Sequence, residues 1–240
     1  MATYQVQLKS RREIAAGTMA FHFEKPEGFQ FKAGQFINLM LIDPPETDAK
    51  GNRRTFSLAS APYEQHLIVA TRMRDTAFKR VLKTLPHGTK VKMQGPFGSL
   101  TLQDSAIRPV VMLAGGIGIT PFRSIVLQAN QDLHTQPLFL FYSNRRPVDG
   151  PFLEELRDLE KTNPNYRFIG TITQIEEKDQ TWLGETGPIR RDMLAKYVND
   201  LKVPAYYLAG PETMVTAMQK MLNEAGVDRE SIKAEEFAGY

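Results

Sequence analysis

From about Ile107 to its end the chain alternates short apolar runs with helical stretches, and few architectures accept that order. Pro109–Ala114, Leu138–Tyr142, Tyr166–Thr173 and Ala205–Ala209 are the apolar runs; Pro121–Ala129, Gly150–Lys161 and Glu212–Ala225 are the helical stretches among them. A strand that hands over to a helix and then to another strand is the unit of a parallel sheet, whose strands are apolar throughout because helices cover both faces. The second half is therefore read as α/β.

The first half follows another rule. Residues 4 to about 103 read as short strands, such as Tyr4–Leu8, Met19–Phe23 and Gln35–Leu41, separated by the turn segments Pro26-Glu27-Gly28, Lys32-Ala33-Gly34, Asp43 to Asn52 and Pro86-His87-Gly88. That spacing predicts an antiparallel barrel of about six strands with one helix, Ala77 to Leu85. The polar stretch Gln103 to Arg108 divides an all-β first domain, residues 1–104, from an α/β second domain, residues 105–240.

Composition narrows the chemistry. With no cysteine in 240 residues, the chain offers no disulfide, no thiolate nucleophile and no ligand set for an iron–sulfur cluster. No metal site is expected, and redox chemistry would need an organic cofactor. The 30 basic and 27 acidic residues are well mixed, so no nucleic-acid surface is expected. The start lacks the pattern of a signal peptide, and no apolar run approaches the roughly 18 residues of a membrane span. The expectation is a soluble, cytoplasmic protein without a membrane association.

Two turns stand at strand ends of the second half. Gly115, Gly116 and Gly118 occupy three of four positions between the apolar run Leu113-Ala114 and the helix that opens near Thr120-Pro121. A helix start behind glycines lets a phosphate reach free amides at the positive end of the helix dipole. The same glycines also serve a plain tight turn, and the spacing is not Gly-x-Gly-x-x-Gly. Gly210-Pro211 ends the last apolar run and would lie at the same sheet edge, although Gly-Pro is equally an ordinary helix entry.

Four motifs taken in order, Arg54-Thr55-Phe56-Ser57, Gly95-Pro96-Phe97-Gly98, Gly115 to Pro121, and Gly210-Pro211 with Met214 downstream, resemble the ferredoxin-NADP reductase superfamily over nearly the whole chain. The resemblance implies a flavin-binding barrel followed by an NAD(P)-binding parallel-sheet domain, with nicotinamide and flavin meeting between them. By that resemblance Arg54 contacts the flavin phosphates, Thr55 and Phe56 lie along the flavin, and Ser57 bonds near N5, where hydride arrives. An always-charged fork suits phosphate, and a small hydroxyl meets N5 without blocking the nicotinamide.

Arg72, Thr76, Phe78 and Lys79 surround the start of the barrel helix, where Thr76 is a good cap. The free amides beyond it suit a diphosphate, which favours FAD over FMN. Family members often carry a glycine ahead of this cap, where this chain has Arg74-Asp75. Gly115, Gly116, Gly118, Gly210 and Pro211 are expected around NAD(P)H, with Thr120 and Pro121 beside the nicotinamide. Ala209 stands where the family usually has a cysteine. The C-terminal aromatic that covers the flavin in this family is either Phe237 or Tyr240. Asn144 and Arg145 offer a hold on the nucleotide, yet Thr173-Gln174 stands where NADPH-using relatives place Ser-Arg, so NADH and NADPH both remain open.

The resemblance thus implies an FAD-dependent NAD(P)H oxidoreductase, with Ser57, Thr120 and the terminal aromatic at the reaction centre. Its electrons would pass to a separate redox protein, whether ferredoxin, flavodoxin or an oxygenase component. Two other functions stay open at this stage: a reductase of free flavin, and a nucleotide-binding electron-transfer subunit that does not itself oxidise NAD(P)H.

Overall fold

The computed structural model describes residues 2–103, 108–176, 179 and 181–237. The boundary expected between residues 104 and 105 lies outside them. Strands β1 (Thr3–Ala15), β2 (Thr18–Glu24), β3 (Phe36–Leu41), β4 (Arg53–Ser57), β5 (His66–Arg72) and β6 (Lys90–Phe97) form one antiparallel sheet in the order β4-β3-β6-β1-β2-β5. The sheet is barrel-like without a closing ladder. Instead its edges meet just past β4, where the Ala59 amide donates to the Ile68 carbonyl at 2.8 Å.

Helix α1 (Ala77–Thr84) seals this sheet with its apolar face. Phe78, Val81 and Leu82 recur at helical spacing and are buried among strand residues such as Val6, Phe21, Leu39 and Leu67. Thr76 caps the helix by accepting from the Lys79 amide at 3.4 Å.

The second sheet is wholly parallel. It contains β7 (Val110–Gly115), β8 (Leu138–Asn144), β9 (Tyr166–Ile172), β10 (Glu185–Thr186), β11 (Ala205–Gly210) and β12 (Ile232–Glu236), ordered β10-β9-β8-β7-β11-β12. Every residue of β7 is buried, as a central strand between two layers requires. Helices α2 (Ile119–Gln131) and α3 (Leu153–Asp158) cover one face through Phe122, Ile125 and Leu156. Helices α4 (Arg191–Ala195) and α5 (Glu212–Glu224) cover the other through Met193, Leu194, Val215 and Leu222. The helix expected over Gly150–Lys161 is shorter, because 3-10 turns occupy Pro147–Asp149 and Leu159–Lys161.

The chain runs outward from β7 to β8 and β9, then returns to lay β11 on the opposite side of β7. Strand order therefore reverses between β7 and β11, and at such a point a crevice opens beyond the carboxyl ends of the strands. Both glycine turns lie there. Behind the crevice the sheets share one apolar cluster in which Ala59, Ile68 and Ala70 pack with Val110, Ile119 and Phe122. The tip of the β1–β2 hairpin also reaches across, its Ala16 amide donating to Val148 O at 2.9 Å. Among the described residues no helix is long and apolar enough to cross a membrane.

Candidate functional site

The two turns press against each other. A Cβ built on Gly118 overlaps the Ala209 carbonyl and lies 2.6 Å from Gly210 N, while one built on Gly115 overlaps Met214 Sδ and comes within 3.1 Å of Pro211 Cδ. These glycines are small because two backbone turns abut, which is a stricter demand than a tight turn alone. Gly116 differs. Its φ of +53° is left-handed, where glycine is at ease, and it borders open space.

That packing presents the start of α2 to the antiparallel sheet. Thr120 is 2 % exposed, and its hydroxyl donates to Ile117 O at 3.1 Å. Thr120 and Ile117 form one wall of a cavity of about 140 Å³; β4 supplies Arg54, Thr55, Phe56 and Ser57, β5 supplies Ala70, Thr71 and Arg72, and Lys79 and Phe237 complete it. Residues from both sheets and from the last described position of the chain thus converge. Phe237 is held there because its amide donates to the Gly210 carbonyl at 3.0 Å, which continues the edge where β12 pairs with β11. Tyr240, the other candidate aromatic, lies outside the described residues.

A second cavity of about 580 Å³ adjoins the first. Gly115, Gly116, Asn144, Arg145 and Pro211 line it together with Arg74, Ser143, Thr173, Thr213 and Met214. Arg72 belongs to both walls. Several expected contacts sit behind the walls instead: Phe78 is buried beneath the Arg54 guanidinium, 5.1 Å from its ring centre, and Pro121 and Gly118 are packed inside the turn. Phe78 is therefore a platform for Arg54, since a side chain buried in the barrel core has no free face for a ligand. Gly95 to Gly98 closes β6, where Gly98 abuts the Phe36 ring and the Glu235 carboxylate. Ala70, Thr71 and Ile117 are wall residues that carried no mark in the sequence, being ordinary apolar or small positions of a strand and a turn.

The electrostatics are one-sided. Arg54, Arg72 and Lys79 face the first cavity, and Arg72, Arg74 and Arg145 face the second, with no carboxylate among the described residues of either wall. Burial, reinforced by Arg74 and Arg54, pulls the Lys79 ammonium down to about 8. Arg54 is steered by Asp48, which accepts at 2.9 and 3.1 Å, and by the carbonyls of Lys50 and Gly51. Arg72 reaches the Asp149 carbonyl at 3.3 Å through Nη2, while its buried Nε has no partner among the described residues. A buried donor left unpaired beside crowded cations costs free energy that a bound anion recovers. A diphosphate held between Arg54, Arg72 and Lys79 at the start of α1 fits this set. The Asn144 Oδ1, also buried and without a partner among the described residues, suits a further polar ligand group beside Arg145.

Residues 112–220 match the family profile of the oxidoreductase NAD-binding domain. The chain is 28 % identical over 228 residues to the reductase component of propane 2-monooxygenase from Mycolicibacterium smegmatis, covering 89 % of this chain and 61 % of that protein. It is 30 % identical over 202 residues to one component of the Na(+)-translocating NADH-quinone reductase of Yersinia pestis, covering 78 % of this chain and 49 % of that component. The chain thus spans about half to three fifths of these relatives. A ferredoxin NADP+ reductase from Neisseria gonorrhoeae, solved with bound FAD and NADP, superposes with a TM-score of 0.79 at 21 % identity over 98 % of both chains.

Proposed function

From its place in the ferredoxin-NADP reductase superfamily, to which the chain belongs, we propose that it is an NAD(P)H-dependent flavoprotein reductase that binds FAD. The observation that carries this reading is the cavity shared by both sheets, with Ser57 on one side and Thr120 on the other. Residues 1–104 hold the flavin in this reading and residues 105–240 hold the nicotinamide nucleotide.

FAD, when bound, supplies a ring that accepts hydride and then releases electrons singly. The chain's part is binding, orientation and exclusion of water. Arg54, Arg72 and Lys79 neutralise the diphosphate. Ser57, 4 % exposed, offers a hydroxyl at the flavin edge, while Phe56, Ala70, Ile117 and Phe237 keep the cavity dry. Gly116, Asn144, Arg145 and Pro211 receive the nucleotide so that Thr120 lies beside its nicotinamide. No proton needs to move between side chains. Holding two rings in contact contributes up to about 7–11 kcal/mol of the barrier, so proximity is the main catalytic effect.

A separate redox protein, a ferredoxin, a flavodoxin or an oxygenase component, takes the electrons; the likeness to an oxygenase reductase component supports the last of these. Anaerobic addition of NADH or NADPH to the FAD-loaded chain is the test. Rapid bleaching of the bound flavin by one of them is expected, and a flavin that neither nucleotide bleaches overturns the reading. FAD that stays with the protein through gel filtration separates this reading from a free-flavin reductase.

A further inference from the structure

One turn beyond Thr120, helix α2 carries a buried arginine that the proposed reaction does not use. Arg123 is 5 % exposed and spends its whole fork on other elements of the fold. Towards α3, Nε and Nη2 donate to the two carboxylate oxygens of Glu155 at 2.8 and 2.6 Å. Towards the segment joining β4 to β5, Nη1 and Nη2 donate to Glu64 at 2.9 and 3.2 Å, and Nη1 also donates to Ala59 O at 2.7 Å. The guanidinium lies 4.9 Å from the centre of the Phe152 ring. Ser124, the next residue, donates to Ser60 O at 2.7 Å, and Glu64 also accepts the Ala61 amide at 2.7 Å, which fixes the shape of the segment.

The register of these bonds gives them a consequence. Ala59 and Ser60 lie two and three residues beyond Ser57 in the chain, and Arg123 and Ser124 lie three and four residues beyond Thr120, on the same helical face. The clamp therefore ties the segment that leaves one cavity wall to the helix that carries the other. A planar fork bonded to two carboxylates and a carbonyl fixes direction as well as distance, which a lysine ammonium does not.

We propose that Arg123, braced by Glu64 and Glu155, is a positioning residue that sets the separation of the Ser57 and Thr120 walls and so the closeness of nicotinamide to flavin. The inference rests on the reductase reading above. Misplacement of reacting groups by about 1 Å costs up to about a hundredfold in rate. The clamp touches neither the diphosphate set nor the Arg145 wall, so binding of either cofactor depends on it far less than the transfer step does.

The test compares wild type with Arg123→Lys, and with Glu155→Gln, whose carboxylate side is partly open to solvent and whose loss leaves the Glu64 bonds in place. Three quantities are read: the FAD retained, the affinity for the oxidised nicotinamide nucleotide by spectral titration, and the limiting rate of anaerobic flavin reduction. Hydrogen exchange of the FAD-free proteins is read beside them. Arg123→Lys is expected to keep its FAD, to change nucleotide affinity by less than about threefold, and to lose about ten- to a hundredfold in limiting rate. Exchange should quicken together at residues 59–64 and 117–124 and stay unchanged in β1 and β6. Glu155→Gln should show the same pattern at smaller amplitude, and it decides the matter if the lysine variant does not fold. A limiting rate within twofold of wild type, or a loss that merely tracks lost FAD, overturns the inference. Wild-type protein that neither nucleotide reduces removes the reductase reading itself, a result that is distinguishable because it appears before any substitution.

Discussion

Replacing Gly118 with alanine adds one methyl group at the point where the two glycine turns meet. The residue has a φ of −59°, an ordinary helical value, so alanine brings no backbone strain of its own. What it brings is overlap: the new Cβ meets the Ala209 carbonyl and stands 2.6 Å from Gly210 N, both of them backbone. Ordinary contact requires the turns to part by roughly 1 Å. Strand β11 cannot yield alone, because Ala209 is in register with Ala114 of β7 on one side and Glu235 of β12 on the other. The displacement therefore falls on the turn that carries Thr120. Overpacking of this kind costs about 1–3 kcal/mol, and at about 2–4 °C per kcal/mol for a chain of this size the melting temperature should fall measurably. The limiting rate of flavin reduction should fall about a hundredfold. Gly28→Ala is the control, since its Cβ would meet nothing within 4 Å although its φ is +73°; it should lose stability of about 1–2 kcal/mol and no rate. Melting curves and anaerobic stopped-flow absorbance measure both effects. A Gly118→Ala protein that melts and is reduced like wild type would refute the packing argument.

Three further outcomes are expected. Arg54→Ala should lower the flavin content of the purified protein, and an unchanged flavin-to-protein ratio removes Arg54 from the diphosphate role. The depressed Lys79 ammonium, at about 8, carries a burial penalty that is fully present below pH 8 and is relieved as the pH rises towards its ordinary value of 10.5. A bound diphosphate restores the charge, so FAD affinity should fall as pH rises past about 8, and Lys79→Met should flatten that fall in a fluorescence titration. Burial raises the Glu235 carboxyl to about 7 from 4.5, so the folded state holds a proton that the unfolded chain releases, and stability should fall as pH rises between those values. Glu235→Gln should remove the decline in a series of melting curves, and a decline that persists places the titrating group elsewhere.

The sequence was legible where burial was complete. Strands β7, β8 and β11 lie between helical layers and read as unbroken apolar runs, and α1 announced itself through Thr76 and the spacing of Phe78, Val81 and Leu82. Strand β12, Ile232–Glu236, was not anticipated, because an edge strand half open to solvent carries polar residues and has no apolar pattern to show. Its existence is what delivers Phe237 to the cavity. The glycines of the β7 turn were visible as residues, but the neighbour they yield to, the Ala209-Gly210 backbone, is some ninety positions away and only the fold brings it near. The same holds for Arg123, whose partners Ala59 and Glu64 come from one distant stretch of chain and Glu155 from another. Short-range patterns identify elements; contacts between distant turns set the geometry of the site.

A crystal structure of the FAD-loaded chain would test the central claim most directly. The account expects the flavin ring in the cavity between the two sheets, its N5 edge within hydrogen-bond reach of Ser57, its open face towards Thr120 and Phe237, and its diphosphate among Arg54, Arg72 and Lys79. A ring seated away from Ser57 and Thr120, or a diphosphate held by none of those three cations, would contradict it.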